Sequence, residues 1–463
     1  RFNKEDSDKL FQTLREEGNS AFFSWIELDD ECGIREKFTN SSNRDNELDI
    51  FEKIQQAVSN RPRVPIFSDE DFEEWITRFE ARQGENYKLS AEQKEAVSII
   101  NSNEQSIFCM TGFAGTGKST VSKAILELLK IELQALHEGD SSGIECLAVS
   151  GMASRRITEA TGFKSSTVMS YSFNQKRIKS TRILFIDEAS MIDSQTMRDL
   201  LNKVDMTKVK VILVGDVGQL PPIGRGTPFK DILDSGWVKT VSLKKIFRQS
   251  EDAVLTTFAK KMREEDIPTS MFDRSYEDFD FIRVPDDRLW SLRKDAAVLM
   301  KTENPTSNQK RMLKEKREQI SAELGLCNQV LQDQVVNLLH KYKADFIQDF
   351  TSFQLISPQK TTVVGTEALN TLAQDILNDN EPFLDQEVDF GYAKEHKRFK
   401  LNDKVIHTKN ENWVVGENLG FFIDGLYYKD GKKFEELAER YSFRAGKKRV
   451  IRILNGMVGV IDH

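Results

Sequence analysis

The sequence predicts an α/β fold built on a parallel sheet, and two observations carry that expectation. From Leu89 onward, helical stretches alternate with short β-branched runs: "SIFCM", "ECLAVS", "RILFID" and "KVILVG". That is the rhythm of strands joined by crossover helices. The first run is followed at once by the glycine-rich "GFAGTGKST" and then by "VSKAILELLKIEL", whose apolar positions recur at helical spacing.

Composition narrows the class. The 463 residues are 39% hydrophobic and 30% charged, which is globular and enough for about two to four domains. No apolar run approaches the ~18–20 residues of a membrane span. The four cysteines, Cys32, Cys109, Cys146 and Cys327, are widely spaced, and histidines number five. Zinc and disulfide frameworks are therefore not expected, and a reduced, cytoplasmic setting is. The net charge of −8 does not announce a nucleic-acid binder. It does not exclude one either, because phosphate contacts are local and a basic groove can sit on an acidic body.

Taken in order, residues 1–84 read as an acidic helical N-terminal region, with "ELDDE" and "SDEDFEEW" as solvated faces or as a docking surface for a protein partner. Ser68 or Asp69 caps a helix running through Phe79. Residues 85–250 hold the strand–helix alternation. Residues 251–350 form a helical, charged connector, in which "NPTSNQKRMLKEKREQISAE" is polar nearly all round, an exposed insertion or arm. Residues 351–463 open with a strand signal in "SFQLISP", continue into the helix "GTEALNTLAQDIL", and end on "KRVIRILNGMVGVIDH", which alternates like small-barrel strands.

The chemistry lies in four stretches. "GFAGTGKST" satisfies G-x-x-x-x-G-K-[ST]: Gly112, Gly115 and Gly117 permit the tight turn, and Thr116, Ser119 and Thr120 complete the cradle. Backbone N–H groups of such a turn point at phosphates, and the following helix presents its positive end there. Lys118 is placed to reach β- and γ-phosphates and Ser119 to bind Mg²⁺. In "RILFIDEASMID" an apolar strand delivers Asp187 and Glu188 at its carboxyl end, where α/β sheets place ligands. Asp187 suits the metal and Glu188 the attacking water, since phosphoryl transfer needs little beyond positioning and charge neutralisation. "VILVGDVGQLPPIGRG" ends a buried strand in Gly215-Asp216, followed by Gln219 and a Pro221-Pro222 turn. Gln219 is a γ-phosphate sensor or a residue of a purely structural turn. "VSLKKIFRQS" offers Arg248, a planar cation for γ-phosphate oxygens or a surface residue.

The ordered set "LSAEQKEAV", "GFAGTGKST", "LAVSGMASRRITEATG", "LFIDEASMID", "VILVGDVGQLPPIGRG" and "LKKIFRQ" resembles the RecD-like helicases of superfamily 1, the branch that also holds the Pif1-like, Dda-like and relaxase-associated helicases. The likeness covers about residues 69–300 well and 350–463 more loosely. It implies tandem RecA-like P-loop NTPase lobes, ATP and Mg²⁺ as cofactors, and single-stranded DNA and duplex junctions as partners. By resemblance Gln93 matches an adenine-reading glutamine. Lys118 and Ser119 match phosphate and metal ligands, Asp187 and Glu188 the metal acid and base, Gln219 a coupling glutamine, and Arg248 a γ-phosphate arginine. The segment around Ser150, Arg155 and Arg156, together with Thr167, matches the part that touches the single strand. For either arginine a solvated helix face is the rival reading.

Three departures qualify the likeness. The stretch between "STVMSYSF" and "RILFIDE" is short, Met169 stands where relatives often carry His, and a "VHKSQG"-like segment and a second γ-phosphate arginine are not among these residues. The expectation is thus of an incomplete second lobe, either because these residues are part of a longer protein or because the motor has been lost. The resemblance implies an ATP-dependent helicase or translocase, 5′ to 3′, in repair, recombination, conjugation or defence. The rival is an ATP-binding motor or scaffold subunit of a larger nucleic-acid-processing complex.

Overall fold

In the strands of the central sheet, successive side chains face opposite sides, and the sequence fills both sides with apolar residues. The computed structural model describes residues 22–29, 33–59, 64–136, 142–247 and 254–263, most of 281–300, 306–349 and 354–379, and shorter stretches ending at 458–460. The chain divides into two units, residues 1–266 and 267–463.

The first unit opens with β1 (Phe22–Asp29) and β2 (Gly33–Asn40), an antiparallel hairpin with Phe22 opposite Asn40. This corrects the all-helical expectation for residues 1–84. Phe22, Phe23, Trp25 and Ile26 are strand formers, and they outweigh the acidic residues around them. Helices α1 (Ser41–Ser59), α2 (Asp69–Gln83) and α3 (Ala91–Ser102) follow. Ser68 is the N-cap of α2, accepting from the Asp71 N–H.

The sheet is then built by β3 (Ile107–Gly112), α4 (Lys118–Leu136), β4 (Ile144–Ala148), α5 (Gly151–Thr161), β5 (Ser165–Thr167), α6 (Val168–Ser172), α7 (Gln175–Ser180), β6 (Ile183–Ile186), α8 (Ser194–Leu201), β7 (Lys210–Gly215), α9 (Pro228–Asp234) and β8 (Lys239–Leu243). Helix α10 (Val254–Arg263) closes the unit. Strand order is β5-β4-β6-β7-β3-β8, and every pairing is parallel. All carboxyl ends therefore lie on one edge.

Period-two alternation sorts the core into two layers. Phe108, Met110, Phe185, Ile212 and Val214 pack with Phe79 of α2, Val97 of α3 and Ile125 of α4. Ile107, Cys109, Leu184, Val211 and Leu213 pack with Ile50 and Ile54 of α1, Met197 of α8 and Phe229 of α9. Helices α1 and α2, preceding the alternating segment, thus cover the two faces of its sheet. Arg198 of α8 also bonds Asp49 at 2.6 Å and Asn46 at 2.9 Å, fixing α1 in place.

The second unit comprises α11 (Asp287–Met300), α12 (Ser307–Gln348) and α13 (Thr366–Leu377). It continues in short strands β9 (Lys404–Ile406), β10 (Glu411–Val415), β11 (Phe421–Ile423), β12 (Leu426–Tyr428), β13 (Arg449–Ile453) and β14 (Val458–Val460), paired antiparallel as β9–β14, β10–β13 and β11–β12. Helix α12 starts in a capping box between Thr306 and Gln309 and joins α11 through Lys316–Asp295 at 2.8 Å and Arg288–Glu323 at 2.9 Å. The strand expected in "SFQLISP" is not formed over residues 354–358, which are irregular; among the described residues no strand pairs with them. No helix among the described residues is long and apolar enough to cross a membrane.

Candidate nucleotide site

The phosphate loop is the turn between β3 and α4. Gly115 and Gly117 take φ of +85° and +83°, the left-handed region that glycine enters without strain. Gly112 must be glycine for another reason: a Cβ there would stand 2.8 Å from Thr116 Oγ1 and 2.9 Å from the Leu243 carbonyl oxygen. Thr116 is buried, and its hydroxyl donates to the Phe113 carbonyl at 2.8 Å. The Lys118 ammonium donates to the carbonyls of Gly112 at 2.6 Å and Phe113 at 3.1 Å. Burial lowers the Lys118 pKa, against the pull of Asp216, Glu188 and Asp187. Ser119 is exposed at the start of α4, and Thr120 bonds the Tyr87 hydroxyl.

Gln93 lies beneath the loop. Its Oε1 accepts the Ser90 N–H at 3.0 Å, completing a capping box, and its Nε2 donates to the Thr116 carbonyl at 3.0 Å. Both ends of the amide are engaged, so reading an adenine with this residue requires giving up one bond. Phe247 also reaches the loop, its N–H donating to the Gly115 carbonyl at 2.8 Å. Arg248 itself is outside the described residues.

Asp187 and Glu188 follow β6, next to β7 and one strand removed from the loop-bearing β3. Burial raises both pKa values, and the Asp187 charge adds to the rise at Glu188. Glu188 adopts φ +52°, in the left-handed region, and its Oε2 is buried without a hydrogen-bond partner. A strained backbone aiming an unsatisfied carboxylate oxygen is a signature of a working site. The residues fit a magnesium nucleotide: hard oxygen donors on Ser119 and Asp187 suit Mg²⁺, the glycine cradle suits phosphates, and Glu188 Oε2 lacks a partner.

The turn after β7 is organised by Asp216, 1% exposed. It accepts from the Gly218 N–H at 3.0 Å and the Gln219 Nε2 at 3.3 Å. Arg263, at the end of α10, lies 3.5 Å from Asp216 and 4.5 Å from the Phe113 ring centroid. Sequence reading singled out neither Arg263 nor Phe247. Phe247 adjoins "RQ" and had a local signal; Arg263 stands in an ordinary charged helix and had none.

Of the residues matched to strand contact, Ser150 caps α5 by accepting from Ala153 N, and Thr167 caps α6 by accepting from Ser170 N. Both begin helices at the carboxyl edge. Arg155 pairs with Glu159 at 2.7 Å, whereas the Arg156 charge acts on Glu188. The two arginines therefore have different surroundings.

Residues 88–287 match the AAA domain family. Over this segment the chain is similar to RecD2 and Pif1 helicases. It is 31% identical over 208 residues to the ATP-dependent RecD2 DNA helicase of Deinococcus radiodurans, covering 43% of this chain and 26% of that one. It is 31% identical over 173 residues to the conjugal transfer protein TraA of Agrobacterium fabrum, covering 36% and 15%. The ATP-dependent DNA helicase PIF1 of Candida albicans is 27% identical over 259 residues, covering 46% and 27%. The chain thus spans between 15% and 27% of the length of these relatives. Among solved structures, the Pif1 helicase from Bacteroides in complex with ADP-AlF3 and single-stranded DNA is 20% identical, at a TM-score of 0.29 over 47% of this chain and 58% of that one.

Proposed function

We propose that the chain is an ATP-driven DNA helicase or translocase that tracks single-stranded DNA from 5′ to 3′. The observation that carries this reading is the convergence on one sheet edge of the phosphate loop, the Asp187–Glu188 pair and the Asp216–Gln219 turn. In this reading Lys118 leaves the Gly112 and Phe113 carbonyls for β- and γ-phosphates, while Ser119 and Asp187 hold Mg²⁺. Bound Mg²⁺-ATP supplies the transferable phosphoryl group. Glu188 orients a water and takes its proton at Oε2, a role suited to a carboxylate whose burial raises its basicity. Gln219 and Arg248 sense the terminal phosphate, and Ser150, Arg156 and Thr167 grip the strand backbone without reading sequence. The RecD2 and PIF1 relatives support DNA as the track.

The test measures single-stranded DNA binding and ATP hydrolysis by the wild type and by Lys118→Ala. The wild type should bind a mixed-sequence oligonucleotide with an affinity that falls steeply with salt. Lys118→Ala should keep that binding and lose hydrolysis. Strand displacement should require a 5′ rather than a 3′ tail. A flat salt response, or hydrolysis surviving Lys118→Ala, overturns the reading.

A further inference from the structure

Arg263 has surroundings that packing alone does not explain. Its partner Asp216 is 1% exposed, while Arg263 is 28% exposed. Asp216 is already served: Oδ1 accepts from Gly218 and Oδ2 from Gln219. The Arg263 Nη2 stands 3.5 Å from Oδ2, which is an ion pair without a hydrogen bond of ordinary length. The guanidinium lies over the ring of Phe113, a residue of the phosphate loop, 4.5 Å from its centroid. A cation–π contact holds the cation beside the loop without consuming its N–H donors. Gly218 leaves room for it, since a Cβ there would be 3.2 Å from Arg263 Cδ.

We propose that Arg263 is a further nucleotide-contacting cation of this site, held beside the phosphate loop by Asp216 and Phe113 and able to transfer from Asp216 to the terminal phosphate of ATP. A triphosphate carries more charge than one carboxylate and offers oxygens in the geometry that a guanidinium fork meets bidentately. The exchange removes the Arg263 cation from Asp216, which holds Gln219, so the occupancy of the loop is reported to the turn after β7. The inference rests on reading the phosphate loop as an ATP site.

The experiment uses the whole chain with Arg263→Ala, Arg263→Lys and Arg263→Gln. Dissociation constants are measured for a non-hydrolysable ATP analogue and for ADP, with thermal unfolding alongside. Arg263→Ala should weaken the ATP analogue by about ten- to a hundredfold, the scale of a lost charged hydrogen bond, and should change ADP affinity less than about threefold. Lysine should restore part of the ATP preference and glutamine none. Parallel weakening of both nucleotides with a lower Tm would mean that Arg263 only props α10 against the loop, and would overturn the proposal. Unchanged affinity for both would overturn it equally. Lys118→Ala separates the two levels: it must lose both nucleotides. If the wild type binds neither, the site reading itself fails; if binding is sound and only the ATP-over-ADP effect is missing, the Arg263 role fails alone.

Discussion

Gln93 Nε2 donates to the Thr116 carbonyl at 3.0 Å, so the helix before β3 is bolted to the underside of the phosphate loop. The same amide closes the capping box of α3 through the Ser90 N–H. At 2% exposure, Gln93 joins an N-terminal helix to the loop at a sequence separation that no local pattern encodes. Gly117 is part of the joint, since a Cβ there would fall 2.4 Å from Gln93 Nε2.

Gln93→Ala should therefore lower stability by about 2–4 kcal/mol, combining a lost helix cap with a buried carbonyl left unpaired. Because both amide ends are already bonded, affinity for ATP and GTP should fall together. Equilibrium denaturation and competition binding check the two parts. A selective loss of adenine discrimination would show that Gln93 abandons one bond to read the base.

Glu188 and Asp187 should make the nucleotide-free protein less stable as pH rises. Their folded pKa values are raised, chiefly by burial, so the folded state holds protons more tightly than the unfolded state. Stability is full below the ordinary carboxylate range and declines as pH climbs through the raised values. Glu188→Gln removes one desolvated charge and its repulsion from Asp187. At neutral pH it should gain on the order of 1 kcal/mol, about 2–4 °C in Tm, and the gain should shrink toward pH 4. The same variant should bind ATP and fail to turn it over; normal turnover would remove Glu188 from the role of base.

Much of this was legible in the sequence. "KVILVG" coincides with β7, "RILFID" brackets β6, and "GTEALNTLAQDIL" contains α13, because each element carries its periodicity locally. Ser68 as the cap of α2 was one of two options, decided by the bond from Asp71 N. What the sequence hid depends on contacts between distant residues. The hairpin at residues 22–40 needs two runs to pair, and the Arg263–Asp216 pair joins the turn after β7 to a helix beyond the sheet. Placement of α1 on the sheet likewise rests on distant contacts, the packing of Ile50 and Ile54 in the core and the Arg198–Asp49 pair.

The buried trio of Lys210, Glu132 and Asn103 should be a stability determinant remote from the loop. Lys210 Nζ donates to Asn103 Oδ1 at 2.6 Å and to Glu132 Oε2 at 2.8 Å, with Lys210 and Glu132 side chains 4% and 9% exposed. Lys210→Met takes the cation from a buried carboxylate and should cost about 3–5 kcal/mol. Adding Glu132→Leu should recover part of that loss, because an apolar pair carries no desolvated charge. A double variant worse than the single would contradict this account.

The turn carrying Gln219 is fixed to the start of α8 by two glycines, and Gly226 is the tighter. Gly226 has φ +80°, and a Cβ on it would stand 2.0 Å from Ser194 Oγ. A Cβ on Gly224 would stand 2.6 Å from the Asp193 side chain. This seam joins the Gln219 turn to the segment that follows Glu188, so its geometry sets how glutamine and base are aligned. Gly226→Ala should cost about 2–4 kcal/mol from strain and overpacking. It should lower turnover more than nucleotide affinity, since the loop at Gly112–Ser119 is untouched. Ser194→Ala is the counterpart: the Ser194 hydroxyl is buried without a partner, so its removal should be neutral or stabilising. Combined with Gly226→Ala it relieves the nearest clash, and the double variant should regain part of both stability and turnover. If Ser194→Ala rescues neither, the seam does not align Gln219 with Glu188.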